Sequence, residues 1–170
     1  MEDKMISIFD LTGKKAIVTG GNRGLGKGIA EGLCETGAQV AIIASGESVM
    51  TAAEELRKKG YSAAGYRCDL SDDRQLEETF EQIVADFGGT LDILVNNAGI
   101  QRRNHCEDFA LEDWDAVLTV NLRSVFRLCQ LAGRKMLASG SGKIINLASM
   151  LSFFGGYTVP AYAAAKGGVA

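Results

Sequence analysis

Short apolar runs separated by longer segments of helical period constrain this chain more than any other feature of its 170 residues. The runs fall at residues 16–19, 39–44, 63–67, 91–96 and 143–147, each of strand length and apolar on successive positions rather than alternate ones. Between them apolar residues recur three and four apart. Leu25, Ile29 and Leu33 form one stripe, and Leu76, Phe80, Ile83, Val84 and Phe87 another. Residues 111–138 are helical in pattern almost throughout, which predicts two helices in succession. Ser71-Asp72-Asp73 supplies a cap and acidic charge to the start of the third helix, while Gly37, Gly60 and Gly88-Gly89 stand where helices should end. Strands apolar on both faces and alternating with helices require a parallel sheet covered on both sides, so the fold class is α/β, doubly wound.

With 46% hydrophobic and 23% charged residues, the chain has enough apolar material for one domain with a real core. A net charge of −3, with both signs interspersed, excludes the basic footprint of a nucleic-acid binder. Apolar runs such as 40–44 are far too short to span a bilayer, so no membrane association is expected. Met1-Glu2-Asp3-Lys4 is not followed by an apolar stretch, which argues against a secretory signal. Cys34, Cys68, Cys106 and Cys129 form no Cys-x-x-Cys pair and read as reduced thiols, with no metal site. A soluble cytoplasmic protein is the expectation.

The first strand runs into Thr19-Gly20-Gly21-Asn22-Arg23-Gly24-Leu25-Gly26, with a helix directly behind it. Glycines here let the backbone turn tightly and approach a diphosphate, and the helix N-terminus offers unpaired N–H groups to the anion. An ordinary Gly-rich strand–helix turn is the plain alternative. The end of the second strand bears on NAD against NADP, because an acid there accepts both ribose hydroxyls and repels a 2′-phosphate. That strand ends Ile43-Ala44-Ser45-Gly46, without an acid until Glu47, and Arg23 is available to a 2′-phosphate. The hint leans to NADP without deciding the matter.

Further along come Asn96-Asn97-Ala98-Gly99 after the fourth strand, Asn121 inside an apolar helix, Ser149 after the fifth strand, and Tyr162-x-x-x-Lys166 in a helix opened by Pro160. Singly each has a bland reading as a cap, a turn or a surface pair. Asn121 is the least ordinary, since a buried amide without partners costs about 1–3 kcal/mol. Spacing i,i+4 puts Lys166 on the Tyr162 face of its helix, and a cation beside a phenol favours the phenolate that general acid/base chemistry needs.

In this order and beside this phosphate loop, the motifs resemble the short-chain dehydrogenase/reductase superfamily, and the resemblance covers essentially the whole chain. It implies a Rossmann-like sheet, an NAD or NADP cofactor, and hydride transfer between nicotinamide and a carbinol. By the same resemblance Tyr162 is the acid/base and Lys166 also holds the nicotinamide ribose. Ser149 binds the substrate oxygen and Asn121 positions a relay water. The dinucleotide would lie against Gly20, Asn22, Arg23, Gly24, Leu25 and Gly26, then Ala44 and Ser45, then Asp69 and Leu70, then Asn97, Ala98 and Gly99. Asp69 reads equally as an acid capping the helix that follows. The resemblance also implies a C-terminally incomplete fold: residues 1–170 form one dinucleotide-binding and catalytic domain of a longer chain, a homotetramer when whole.

Ile100-Gln101-Arg102-Arg103, the segment from Lys143 to Phe153, Gly155-Gly156 and Val159-Pro160 look like the 2-dehydro-3-deoxy-D-gluconate 5-dehydrogenases, with gluconate 5-dehydrogenases as near neighbours. A sugar-acid substrate follows from that likeness. Arg102 and Arg103 at the sheet's carboxyl edge suit a carboxylate clamp, or else a basic turn balanced by Glu107 and Asp108. His105 reads as a loop residue near the pocket mouth; Phe153 and Phe154 wall the pocket or belong to the core. A non-catalytic dinucleotide-binding fragment is the competing reading.

Overall fold

A computed structural model describes residues 7–170, so the reading of Met1 to Lys4 lies outside the described residues. Five parallel strands, β1 (Lys15–Thr19), β2 (Gln39–Ala44), β3 (Ala63–Arg67), β4 (Ile93–Asn96) and β5 (Lys143–Asn146), form one sheet in the order β3-β2-β1-β4-β5. The order reverses direction between β1 and β4, and at such a switch point the strand ends part to leave a crevice. The two-faced apolar strands explain the layering. Ile17, Ala41, Ile43 and Leu94 face one core, with α3 (Asp73–Asp86) and α5 (Ser124–Ser139) over them. Ala16, Val18, Val40, Ile42, Ile93 and Val95 face the other, covered by α1 (Gly24–Glu35) and α2 (Ser48–Lys58). The doubly wound α/β class is therefore observed.

The strands match expectation to within two residues at their ends, and Gly37, Gly60 and Gly88 directly follow the caps of α1, α2 and α3. All five residues of the Leu76–Phe87 stripe are buried. The α1 stripe is different. Its buried residues are Gly26, Ala30 and Cys34, while Ile29 and Leu33 only flank the core and Leu25 is 68% exposed. Small residues take the centre because α1 lies too close to the sheet for larger ones. A second difference is β5, whose four residues are all exposed where a buried strand was expected; among the described residues it pairs with β4 alone.

The helical stretch from residue 111 runs as α4 (Leu111–Leu118), a π turn (Thr119–Arg123) and α5 without a break. In the π turn the Ser124 N–H reaches Thr119 O, and the Ser124 hydroxyl donates to Val120 O at 2.6 Å. Finally α6 (Pro160–Val169) packs through Ala161 and Ala165 against Val117, with Ile100, Trp114, Leu118, Leu122 and Tyr162 around them. The fold thereby brings the last helix against the π turn and the loop after β4. The four cysteines are free thiols, Cys34 and Cys68 buried. No helix of the described residues is long and apolar enough to cross a membrane.

Candidate active site

The cleft at the switch point is built by the carboxyl ends of β1, β2 and β4. Thr19, buried at the end of β1, ties two of them: its Oγ1 accepts from Asn97 N at 3.1 Å and Ala98 N at 3.0 Å. In return Asn97 Nδ2 donates to Thr19 O and Gly20 O at 3.0 and 3.2 Å. The helix that follows begins so close to this knot that a Cβ at Gly26 would stand 2.2 Å from Gly20 O. Gly20 itself has φ +66°, which only glycine adopts without strain. The result is an open-ended cleft of about 600 Å³, within the range of small-molecule sites.

All of the expected dinucleotide positions up to Gly99 line it: Gly20, Asn22, Arg23, Gly24, Leu25, Gly26, Ala44, Ser45, Asp69, Leu70, Asn97, Ala98 and Gly99. Gly46, Ser48, Cys68, Ile100 and Val120 line it too and were not anticipated. Ser48 had a readable signal, a hydroxyl two residues past Gly46; Asn22 Nδ2 donates to it at 2.8 Å. No side chain caps α1, so its first N–H groups face the cleft without an internal partner, whereas α3 is capped by Asp72 Oδ1 from Arg74 N and Gln75 N. Those bonds hold the Asp72 carboxyl below the usual aspartate range, the Gln75 N–H first among them. Asp69 is thus not the helix cap. Its carboxylate folds back on Ser71, accepting from N at 2.9 Å and Oγ at 2.7 Å, and leaves the residue on the cleft wall.

Asn121 is fully buried in the π turn, and its amide is engaged at both ends with Ile100: Oδ1 accepts from Ile100 N and Nδ2 donates to Ile100 O, both at 2.8 Å. This grip sets the course of the chain leaving Gly99, directly beside the cleft.

Ser149, Tyr162 and Lys166 lie together next to the cleft without lining it. Ser149 Oγ accepts from Leu151 N at 3.2 Å, which leaves the hydroxyl proton to donate elsewhere. Lys166 is 4% exposed; its Nζ donates to Leu147 O at 2.6 Å and sits 5.8 Å from the centre of the Tyr162 ring. Burial pushes the ammonium below the usual lysine range. One of its three N–H donors is used by Leu147, so two remain for the site.

The expected arginine pair divides. Arg102 is committed to Asp113, Nε to Oδ1 at 3.1 Å, rather than balanced by Glu107 and Asp108. Arg103 is exposed and makes no ion pair among the described residues. His105 stacks edge-on against Tyr157 at 5.1 Å, and Asn104 N donates to Thr158 O at 3.0 Å, so the loop after β4 is fastened to the loop before α6. Phe153 and Phe154, ahead of α6, are exposed, not core, and do not line the cleft.

The short chain dehydrogenase family matches residues 14–170. This chain belongs to that family. Among short-chain dehydrogenases it is 44% identical over 162 residues to the 2-dehydro-3-deoxy-D-gluconate 5-dehydrogenase of Bacillus subtilis (strain 168), covering 95% of this chain and 63% of the relative. It is 37% identical to the 5-keto-D-gluconate 5-reductase of Escherichia coli (strain K12), over 97% of this chain and 65% of that protein. A solved gluconate 5-dehydrogenase from Burkholderia cenocepacia J2315, in complex with NADP and tartrate, superposes with a TM-score of 0.88 at 41% identity, over 95% of this chain and 63% of its own. The chain thus spans somewhat less than two thirds of the length of these short-chain dehydrogenases.

Proposed function

We propose that this chain is the dinucleotide-binding and catalytic part of an NAD(P)-dependent dehydrogenase that interconverts a secondary alcohol and a ketone on a sugar acid. The observation that carries the reading is Lys166, buried with its Nζ on Leu147 O and beside the Tyr162 ring, in a chain whose cleft is lined by the Gly20–Gly26 loop. A dinucleotide fits the residues present: glycine at 20 and 26 lets the loop close on Asn97 where a Cβ would clash, and an uncapped helix N-terminus suits the diphosphate. When bound it would supply the hydride acceptor or donor. Tyr162 Oη takes the proton from the carbinol oxygen, or returns it to the ketone oxygen. Ser149 Oγ donates to that same oxygen and holds it in place. The spare Lys166 donors orient a ribose hydroxyl and present positive charge to the Tyr162 oxygen.

At the adenosine end the geometry favours NADP. Glu47, the first acid after β2, is held by Arg67 at 2.5 Å and is not on the cleft wall, whereas Arg23 is. On the substrate side, Arg103 is the better carboxylate reader, because Arg102 already holds Asp113. The relatives' names support 2-dehydro-3-deoxy-D-gluconate, and the NADP- and tartrate-bound neighbour favours gluconate as the second candidate. A cytoplasmic homotetramer is the proposed state of the whole protein.

The test is steady-state kinetics of the full protein with both sugar acids against NADPH or NADP. Turnover on either acid that vanishes in Tyr162→Phe, with dinucleotide affinity retained, supports the reading. Dinucleotide binding without turnover on any secondary alcohol would leave a binding module only.

A further inference from the structure

Within residues 7–170, the turn that carries Ser149 lies against α6 with Leu151 and Ser152 half-buried, while its outer side is open. It leaves an exposed edge strand, and Met150, Phe153 and Phe154 around it are all exposed. Side-chain hydrogen bonds add to that contact and fix its register. Among the described residues, two join segment 147–152 to α6, and Lys166 is an end of both: Nζ to Leu147 O, and Lys166 O from the Ser152 hydroxyl at 2.7 Å. The second is additional to the helix's own bond, since Lys166 O also accepts from Ala170 N at 3.2 Å. The same Ser152 oxygen accepts from Ser149 N at 3.2 Å, and Ser152 N donates to Ser149 O at 3.0 Å. One hydroxyl thus uses its proton on the helix of Tyr162 and a lone pair on the backbone of Ser149.

From this geometry we infer that Ser152 is a positioning residue, whose hydroxyl fixes the spacing between Ser149 and the Tyr162–Lys166 face of α6. The inference rests on the catalytic reading of those three residues. Ser152 touches neither substrate nor dinucleotide in this scheme. A residue that only capped the short turn at 150–152 would have no reason to reach Lys166. Without the hydroxyl, the turn keeps its Ser152 N to Ser149 O bond and the Leu147 tie to Lys166 Nζ but loses the second tie to α6, so the contact loosens, Lys166 becomes more accessible and Ser149 wanders relative to Tyr162. Errors of this kind act on kcat far more than on binding.

Two measurements test it. The first needs no turnover: acylation of individual lysines in the chain, timed by peptide mass spectrometry in wild type, Ser152→Ala and Ser152→Thr. Lys166 should label about fivefold or more faster in Ser152→Ala and at the wild-type rate in Ser152→Thr, with exposed Lys58 unchanged in both. Equal Lys166 labelling in all three overturns the inference. The second is kinetic, on the full protein: Ser152→Ala should lose about tenfold in kcat with dinucleotide Kd within about twofold, and Ser152→Thr should restore kcat. Should Ser152→Ala lose its circular-dichroism signal, Ser152→Cys, similar in volume but a weak donor, carries the same expectations. If Tyr162→Phe keeps turnover, the catalytic reading fails whatever Ser152 does. If Tyr162→Phe is inactive while Ser152→Ala matches wild type, only the positioning role falls.

Discussion

Removing one oxygen from Tyr162 should separate proton transfer from binding. The ring would keep its packing against the cluster of Val117, Ala161 and Ala165, so Tyr162→Phe is expected to hold dinucleotide with Kd within about twofold while kcat drops by about 10² or more. Residual turnover above a tenth of wild type would remove Tyr162 from the acid/base role. The two arginines offer a sharper contrast. Arg102 is exposed and paired with Asp113, a kind of ion pair worth about 0–1 kcal/mol, so Arg102→Ala should be nearly silent on any substrate. Arg103→Ala should lower kcat/KM about ten- to a hundredfold on the sugar acid and barely change it on the matched neutral sugar alcohol, because a charge-assisted bond to a carboxylate contributes about 1.5–3 kcal/mol. Equal losses on acid and neutral substrates would make Arg103 a turn residue.

Individual elements predict their own tolerance. In α1, Gly26 faces backbone at contact distance, whereas a Cβ at Gly28 meets nothing within 4 Å. Gly26→Ala should abolish dinucleotide binding, while Gly28→Ala should stabilise the chain by about 0.5–1 kcal/mol through helix propensity alone, read as a higher Tm. A Tm drop at Gly28 or intact binding at Gly26 would contradict the packing described. In α3 the cap is ionised. The folded Asp72 carboxyl titrates below its unfolded value of 3.8, so its contribution is complete above that pH and is lost as pH falls further. The Tm gap between wild type and Asp72→Ala should be widest near neutrality and close in strong acid; a gap independent of pH would mean the cap does not depend on charge. These helices also show how far periodicity reaches. It located α3 because five large side chains meet the core there. It misplaced the buried face of α1 because close packing against the sheet selects glycine, alanine and cysteine, which carry little hydrophobic signal. Asp69 and the run Ser71-Asp72-Asp73 both stood as sources of the cap, and only backbone geometry singles out Asp72. Ser152 sits in a turn with no period at all, so its reach to Lys166 depends on a tertiary contact that no local pattern encodes.

At the scale of the molecule, the sheet order distributes the site unevenly. The cleft is anchored on β1 and β2, whose inner residues are wholly buried, while Ser149 follows β5, exposed along its length and paired on one side, with Ile145 half exposed. Amides of β1 and β2 should exchange with deuterium at least about tenfold more slowly than those of β5 in the chain described here. Uniform protection across the sheet would show that β5 opens only with the whole. A hierarchy of opening has a practical consequence on warming. In residues 7–170 the strand that delivers Ser149 would depart while the dinucleotide loop still stands, so on warming this chain should free its Ser149 turn before the Thr19–Asn97 knot at the cleft comes apart.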